Sequence, residues 1–245
     1  VLPEIEMPGH SEEVFVAYPE LSCSGESYKN SDFCIGNDST FTFVEQVLTE
    51  VMDLFPSKRI HIGGDEATKK AWAEFPKCQQ RMKAEGLSNL DELQSYMIRR
   101  VEKFLVSKGR QLVGWDEIIE GGLAPEATVM SWRGISGGVA AAKMDHDVIM
   151  TPNSYLYFDY YQTNETKTEP LAIGGNLPVE KVYSFNPIPA ELNDAQKSRI
   201  VGVQANLWTE YVPNFRHAEY MVLPRMAALC EIQWSPSYKK DYENY

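Results

Sequence analysis

The sequence lacks any run of basic residues. Its 23 Lys and Arg are scattered among 35 Asp and Glu, for a formal net charge of −12. That argues against a phosphate backbone or an anionic membrane surface as partner. No apolar stretch approaches the roughly 20 residues of a transmembrane helix. Histidine is scarce, with four in all, and no pair has metal-ligand spacing. No glycine-rich phosphate loop with its lysine occurs, because Gly63-Gly64 lead into acids. The four cysteines, Cys23, Cys34, Cys78 and Cys230, show no tight zinc spacing. Cys23 and Cys34 lie in one loop-like stretch and could pair, which leaves the redox compartment open. Cys230 sits in an apolar helical pattern and reads as a buried thiol. No cofactor and no metal is implied.

What is present is enough chain for a sizeable core: 245 residues, 43% of them hydrophobic. Short apolar runs alternate with longer amphipathic ones. Strands are expected at Val1–Glu6, Arg59–Ile62, Gln111–Gly114, Thr128–Ser131, Asp147–Met150 and Ile200–Gln204. The first reads as the middle of a strand. Helices are expected at Phe41–Phe55, Leu90–Lys108, Gly137–Met144 and Ala218–Trp234. Trp72 and Trp234 fall in helical patterns and read as core, and His61 as packed inward. Tyr18–Asp38 and Tyr155–Pro189 read as long loops, which in a compact domain are usually functional. Strands alternating with helices give an α/β class with a parallel sheet. A complete α/β barrel also runs to roughly 250 residues but has eight strands; six are counted here.

Polar and aromatic residues collect just after the strands, where parallel α/β barrels build their sites. Pro8-Gly9-His10 follows the first, Gly63-Gly64-Asp65-Glu66 the second and Trp115-Asp116-Glu117 the third. Trp132-Arg133 follows the fourth, Tyr155, Tyr157 and Asp159 the fifth, and Asn206-Leu207-Trp208-Thr209-Glu210 the last. Flat aromatic faces suit the C–H faces of a sugar, and carboxylates accept from its hydroxyls. Glycosidases usually place two carboxylates on either side of the bond, about 5–5.5 Å apart when retaining and 6.5–9.5 Å when inverting. Asp65 and Glu66, adjacent in sequence, cannot easily flank a bond from opposite sides. They more plausibly divide roles on one side, with the neighbouring charge raising the proton affinity of one of them.

These pieces together resemble the catalytic barrel of glycoside hydrolase family 20, the β-N-acetylhexosaminidases. The carriers are Pro3-Glu4-Ile5-Glu6-Met7-Pro8-Gly9-His10, His61-Ile62-Gly63-Gly64-Asp65-Glu66, Gly114-Trp115-Asp116-Glu117, Ser131-Trp132-Arg133-Gly134, Tyr157-Phe158-Asp159 and Asn206 to Tyr211, in family order. The resemblance implies a TIM (β/α)8-type barrel of which residues 1–245 supply strands three to eight. The first strands, their sugar-binding arginine and a preceding small α/β domain would lie upstream. It implies substrate-assisted retention, the exception to the two-carboxylate scheme. Glu66 would be general acid and then base. Asp65 would hold the acetamido N–H and the positive intermediate, and Tyr157 the acetamido oxygen. Trp115, Trp132 and Trp208 would wall the sugar, Asp159 and Glu210 bind hydroxyls, and His10 support the site. The implied partner is a glycan or chito-oligosaccharide ending in N-acetylhexosamine, in the periplasm, lysosome or outside the cell; homo-oligomerisation stays open. Two rivals remain: a conventional retaining enzyme with Glu117 or Glu210 as nucleophile, and a carbohydrate-binding remnant without activity.

Overall fold

The computed structural model describes residues 1–236 and 240–245. It divides into two compact units, residues 1–129 and 130–245. In the first, β1 (Glu4–Met7), β2 (Arg59–Gly63) and β3 (Gln111–Trp115) lie side by side in parallel. Glu4 pairs with His61, and Arg59 to His61 pair with Gln111 to Val113; the β1–β2 register slips between Glu4 and Met7. Ile60, His61 and Ile62 are all buried, as expected of a parallel strand covered on both faces.

Helices Asp38–Leu54 and Leu90–Ser107 connect these strands. Each begins on an asparagine cap: the Asn37 side chain accepts from Ser39 N–H at 3.1 Å, and Asn89 from Glu92 N–H at 2.9 Å. Their apolar stripes bury Phe41, Val44 and Leu48 on one and Leu93, Met97, Val101 and Leu105 on the other. Each such side chain contributes roughly 1.5–3 kcal/mol relative to exposure. Trp72 lies in helix Lys70–Glu74, in keeping with its helical pattern; helix Pro76–Glu85 was not expected, because it buries only Cys78 and shows no apolar stripe. The cues were Pro76 at the first turn and Gly86 in a left-handed cap. Trp72 is fully buried, as expected, and its Nε1–H donates to Phe33 O at 2.9 Å.

The strand β4 (Thr128–Ser131) straddles the division. In the second unit β5 (Val148–Met150) pairs in parallel with β8 (Ile200–Val203). Helix Ser136–Lys143 precedes β5. The long Tyr155–Pro189 stretch is less irregular than expected. It carries β6 (Tyr160–Tyr161), β7 (Gly174–Asn176) and helix Val179–Ser184. The single helix expected over Ala218–Trp234 is two, Phe215–Val222 and Arg225–Trp234. Pro224 between them has no N–H to continue the ladder. The break corrects two further expectations: Trp234 is 87% exposed rather than core, and Cys230 is exposed rather than buried. Cys23 and Cys34 are buried free thiols rather than a disulfide. No helix among the described residues is long and apolar enough to cross a membrane.

Candidate active site

In the first unit, β2 runs into a left-handed turn: φ is +68° at Gly63, +96° at Gly64 and +48° at Glu66. Glycine carries the first two without steric cost. A Cβ on Gly63 would collide with the Glu6 carboxylate, and one on Gly64 would stand 2.5 Å from Ile118 Cγ2. Glu66 and His10, at φ +47°, lack that freedom. Such residues cost of order 1–3 kcal/mol and cluster at functional sites. Asp32 pins the far end of the turn, accepting from Thr68 N–H at 3.1 Å, Thr68 Oγ1–H at 2.7 Å and Lys69 N–H at 2.9 Å.

The turn brings His10, Asp65 and Glu66 together. His10 Nε2 lies 3.5 Å from Asp65 Oδ2 and 3.4 Å from Glu66 Oε2. The Asp65 hydrogen bond, then the two carboxylate charges, raise the His10 pKa to about 9 despite partial burial, so it is a cation at neutral pH. The three offer ligand atoms within 4.8 Å of one another, a spacing that also suits proton handling. The Asp65 side chain is 16% exposed and that of Glu66 57%. Asp65 Oδ1 is buried and has no hydrogen-bond partner among the described residues. Such an orphan acceptor is costly, and marks a place where a donor is wanted.

Glu6 is a member of this cluster that the sequence reading missed. Its Oε1 accepts from Gly64 N–H at 3.0 Å. Burial, then the charge of Asp65, push its pKa up to about 10. Glu6 is therefore a neutral acid at pH 7, close to the Asp65 carboxylate. The available cue was the spacing of Glu4 and Glu6, which puts both on one face of a strand. Glu4 Oε1 accepts from Trp115 Nε1–H at 2.8 Å and lies 3.2 Å from His61 Nδ1. His61 Nδ1 also accepts from Gly63 N–H at 3.0 Å. Trp115 is only 2% exposed and meets the His61 ring edge-on at 4.7 Å. Asp116 and Glu117 are also buried, and His61 is buried as expected.

In the second unit Tyr157 is the centre of an aromatic group. Trp132 stacks on it at 6.1 Å and 17°, and Trp208 meets it at 6.4 Å and 64°. Tyr157 is buried and Trp208 is 37% exposed, with Trp132 half-buried and Glu210 exposed. A short ladder fixes the segment: Phe158 N–H donates to Asn206 O at 2.7 Å, and Asn206 N–H to Leu156 O at 2.8 Å. Asp159 is buried. Burial raises its pKa to about 6; its own backbone N–H and Arg225 oppose the shift, and Glu210 adds to it. Its Oδ1 has no hydrogen-bond partner among the described residues.

Arg225, fully buried at the start of its helix, was also missed. Its guanidinium donates to Phe158 O at 2.6 Å, Tyr160 O at 3.0 Å, Leu177 O at 3.2 Å and Met221 O at 3.1 Å. It thereby clamps the backbone on both sides of Asp159. Arg225→Met would leave these carbonyls without donors, at about 1–3 kcal/mol for each that water cannot reach. We expect a loss of roughly 3 kcal/mol or more in urea unfolding; a loss under about 0.5 kcal/mol would show that the clamp is not needed.

A family model, glycosyl hydrolase family 20, catalytic domain, matches residues 1–237. The chain is 49% identical over 254 residues to a beta-hexosaminidase of Porphyromonas gingivalis, covering all of this chain and 33% of that protein. Identity to a beta-hexosaminidase of Vibrio furnissii is 35% over 240 residues, covering 94% of this chain and 39% of that one. Among solved structures, a beta-N-acetylhexosaminidase of Bacteroides fragilis matches with a TM-score of 0.85 at 31% identity, over 99% of this chain and 50% of that one. A mutant Streptomyces plicatus beta-hexosaminidase in complex with the product GlcNAc matches with a TM-score of 0.81 at 28% identity, over all of this chain and 48% of that one. The chain thus spans a third to a half of the length of these relatives. Its parallel strands and intervening helices, with these likenesses, make the fold part of a (β/α)8-type barrel. Matched over nearly its whole length, the chain belongs to glycosyl hydrolase family 20, within the catalytic domain.

Proposed function

We propose that this chain carries the acid chemistry of a β-N-acetylhexosaminidase. The enzyme would remove terminal, non-reducing β-linked N-acetylglucosamine or N-acetylgalactosamine by substrate assistance. The observation that carries this reading is the unequal pair at the end of β2. Glu66 reaches solvent beside the His10 cation. Asp65 spends one oxygen on His10 and keeps the other buried and unpartnered. An acetamido N–H is the kind of donor that Oδ1 lacks.

In this reading Glu66 protonates the leaving oxygen as the substrate's acetamido oxygen attacks the anomeric carbon. The C–O bond to the leaving group breaks, and a cyclic oxazolinium cation forms. Asp65 holds its N–H and offsets its positive charge. Glu66, now a carboxylate, takes a proton from the water that opens the ring. No protein nucleophile is needed, which suits two acids side by side. His10 holds Asp65 through one oxygen, and the neutral Glu6 stands beside it. In the second unit, Trp132, Tyr157 and Trp208 supply ring faces for sugar C–H groups, with Tyr157 proposed for the acetamido oxygen. Asp159 and Glu210 are proposed for hydroxyls.

The test compares aryl 2-acetamido-2-deoxy-β-glucoside with its 2-hydroxy analogue on the full-length protein. A well-placed intramolecular nucleophile reaches effective molarities of about 10⁵–10⁸ M, so the acetamido substrate should be faster by orders of magnitude. Equal turnover, or a trapped glycosyl ester on Glu117 or Glu210, would replace substrate assistance with the conventional double displacement.

A further inference from the structure

The three buried cysteines lie far apart in sequence and meet in space. Cys23 and Cys34 come from the loop after β1, and Cys78 from the first turn of helix Pro76–Glu85. Their exposures are 3%, 1% and 0%. Cys78 Sγ is 3.6 Å from Cys23 Sγ and 3.8 Å from Cys34 Sγ, and all three sulfurs lie within 4.8 Å of one another. We propose that Cys23, Cys34 and Cys78 form a binding site for a thiophilic d¹⁰ cation, zinc(II) or copper(I).

The sulfur spacing is the first argument. A disulfide would need about 2.05 Å between two of them. Thiolates around a cation at about 2.3 Å stand about 3.8 Å apart if tetrahedral and about 4.0 Å if trigonal. The two measured edges fall near these values, so a cation could enter with little movement of the chain. The donor set is the second argument. Sulfur alone selects soft cations over magnesium or calcium. Three ligands complete a trigonal copper(I) site and leave one position of a zinc site to water.

The close approach of the loop is the third argument. A Cβ on Gly36 would collide with the backbone of Lys77 and Cys78, so glycine lets the loop press against the helix turn that carries Cys78. On loading, the thiol protons leave to solvent and three S–metal bonds form.

The site would staple the loop to helix Pro76–Glu85, the second helix after the Asp65–Glu66 turn. The same loop already holds that region through Asp32 on Thr68 and Lys69, and through Phe33 O on Trp72.

The experiment uses full-length protein purified under reductant, incubated with zinc(II) or, anaerobically, with copper(I), and desalted. About one metal ion per chain should be retained in one arm or both, and the arm names the preferred ion. Cobalt(II) substitution should give an intense thiolate-to-metal charge-transfer band. Cys34→Ser should lose the metal and the band, whereas Cys230→Ser, outside the trio, should keep both. Should Cys34→Ser fail to fold, the wild-type cobalt spectrum decides. Retention below a tenth of an ion per chain in both arms would overturn the proposal, as would a protein mass two hydrogens short, which marks a disulfide.

Discussion

Glu66→Gln is expected to lower kcat of the full-length protein by roughly 10²–10⁴-fold, the range for loss of a positioned general acid. The amide keeps the shape of the side chain and has no proton to give to a leaving alkoxide. The side chain is 57% exposed and its recorded contact is with His10, so folding should not suffer. The melting temperature should therefore stay within a degree or two while the rate falls. An aryl glycoside whose leaving group needs no protonation should recover much of the bond-breaking rate. A near-wild-type rate on an unactivated glycoside would remove Glu66 from the acid role. A rate loss matched by lost stability would instead make it a structural residue.

The strands were legible as brief runs holding Val, Ile, Leu or Met, each followed by glycine, proline or a polar turn, as at Arg59–Ile62 and Thr128–Ser131. The two long helices were legible through their stripes and their ends. What failed was local and polar. Helix Pro76–Glu85 buries only Cys78, so it has no stripe to read. The last helix was drawn through Pro224 because the apolar spacing continues past it. The adjacency of Asp65 and Glu66 was visible in sequence, as was the collection of aromatics at strand ends. Their supporting partners were not. Glu6 meets Gly64 across the pairing of β1 with β2, 58 residues apart in sequence. Arg225 looks like a surface charge until the carbonyls of Phe158, Tyr160 and Leu177 are placed around it. The cysteine trio spans separations of 44 and 55 residues, beyond any short motif.

Asp65→Asn should reduce kcat by about 10²–10³-fold, the scale for removing one preorganised group that stabilises developing charge. It should also change two titrations. The Asp65 hydrogen bond is the largest cause of the raised His10 pKa. Its charge is the second cause, after burial, of the raised Glu6 pKa. An asparagine oxygen still accepts a hydrogen bond but carries no charge, so His10 should fall from about 9 toward its ordinary 6.5 and Glu6 should fall from about 10. Both wild-type groups hold their protons more tightly folded than unfolded. The stability His10 contributes is fully present below pH 6.5 and is lost as pH rises through 9. Its half-exposed ring limits the size of that change. Glu6 adds a downward slope from pH 4.5 to about 10, where the unfolded chain has released a proton that the folded one keeps. Wild-type stability should therefore decline from pH 6.5 to 9 more steeply than that of Asp65→Asn, as urea unfolding across that range would show. Equal slopes would mean that Asp65 does not bind His10 and Glu6 into one protonated cluster. Lost activity with equal slopes would leave Asp65 acting on the substrate alone.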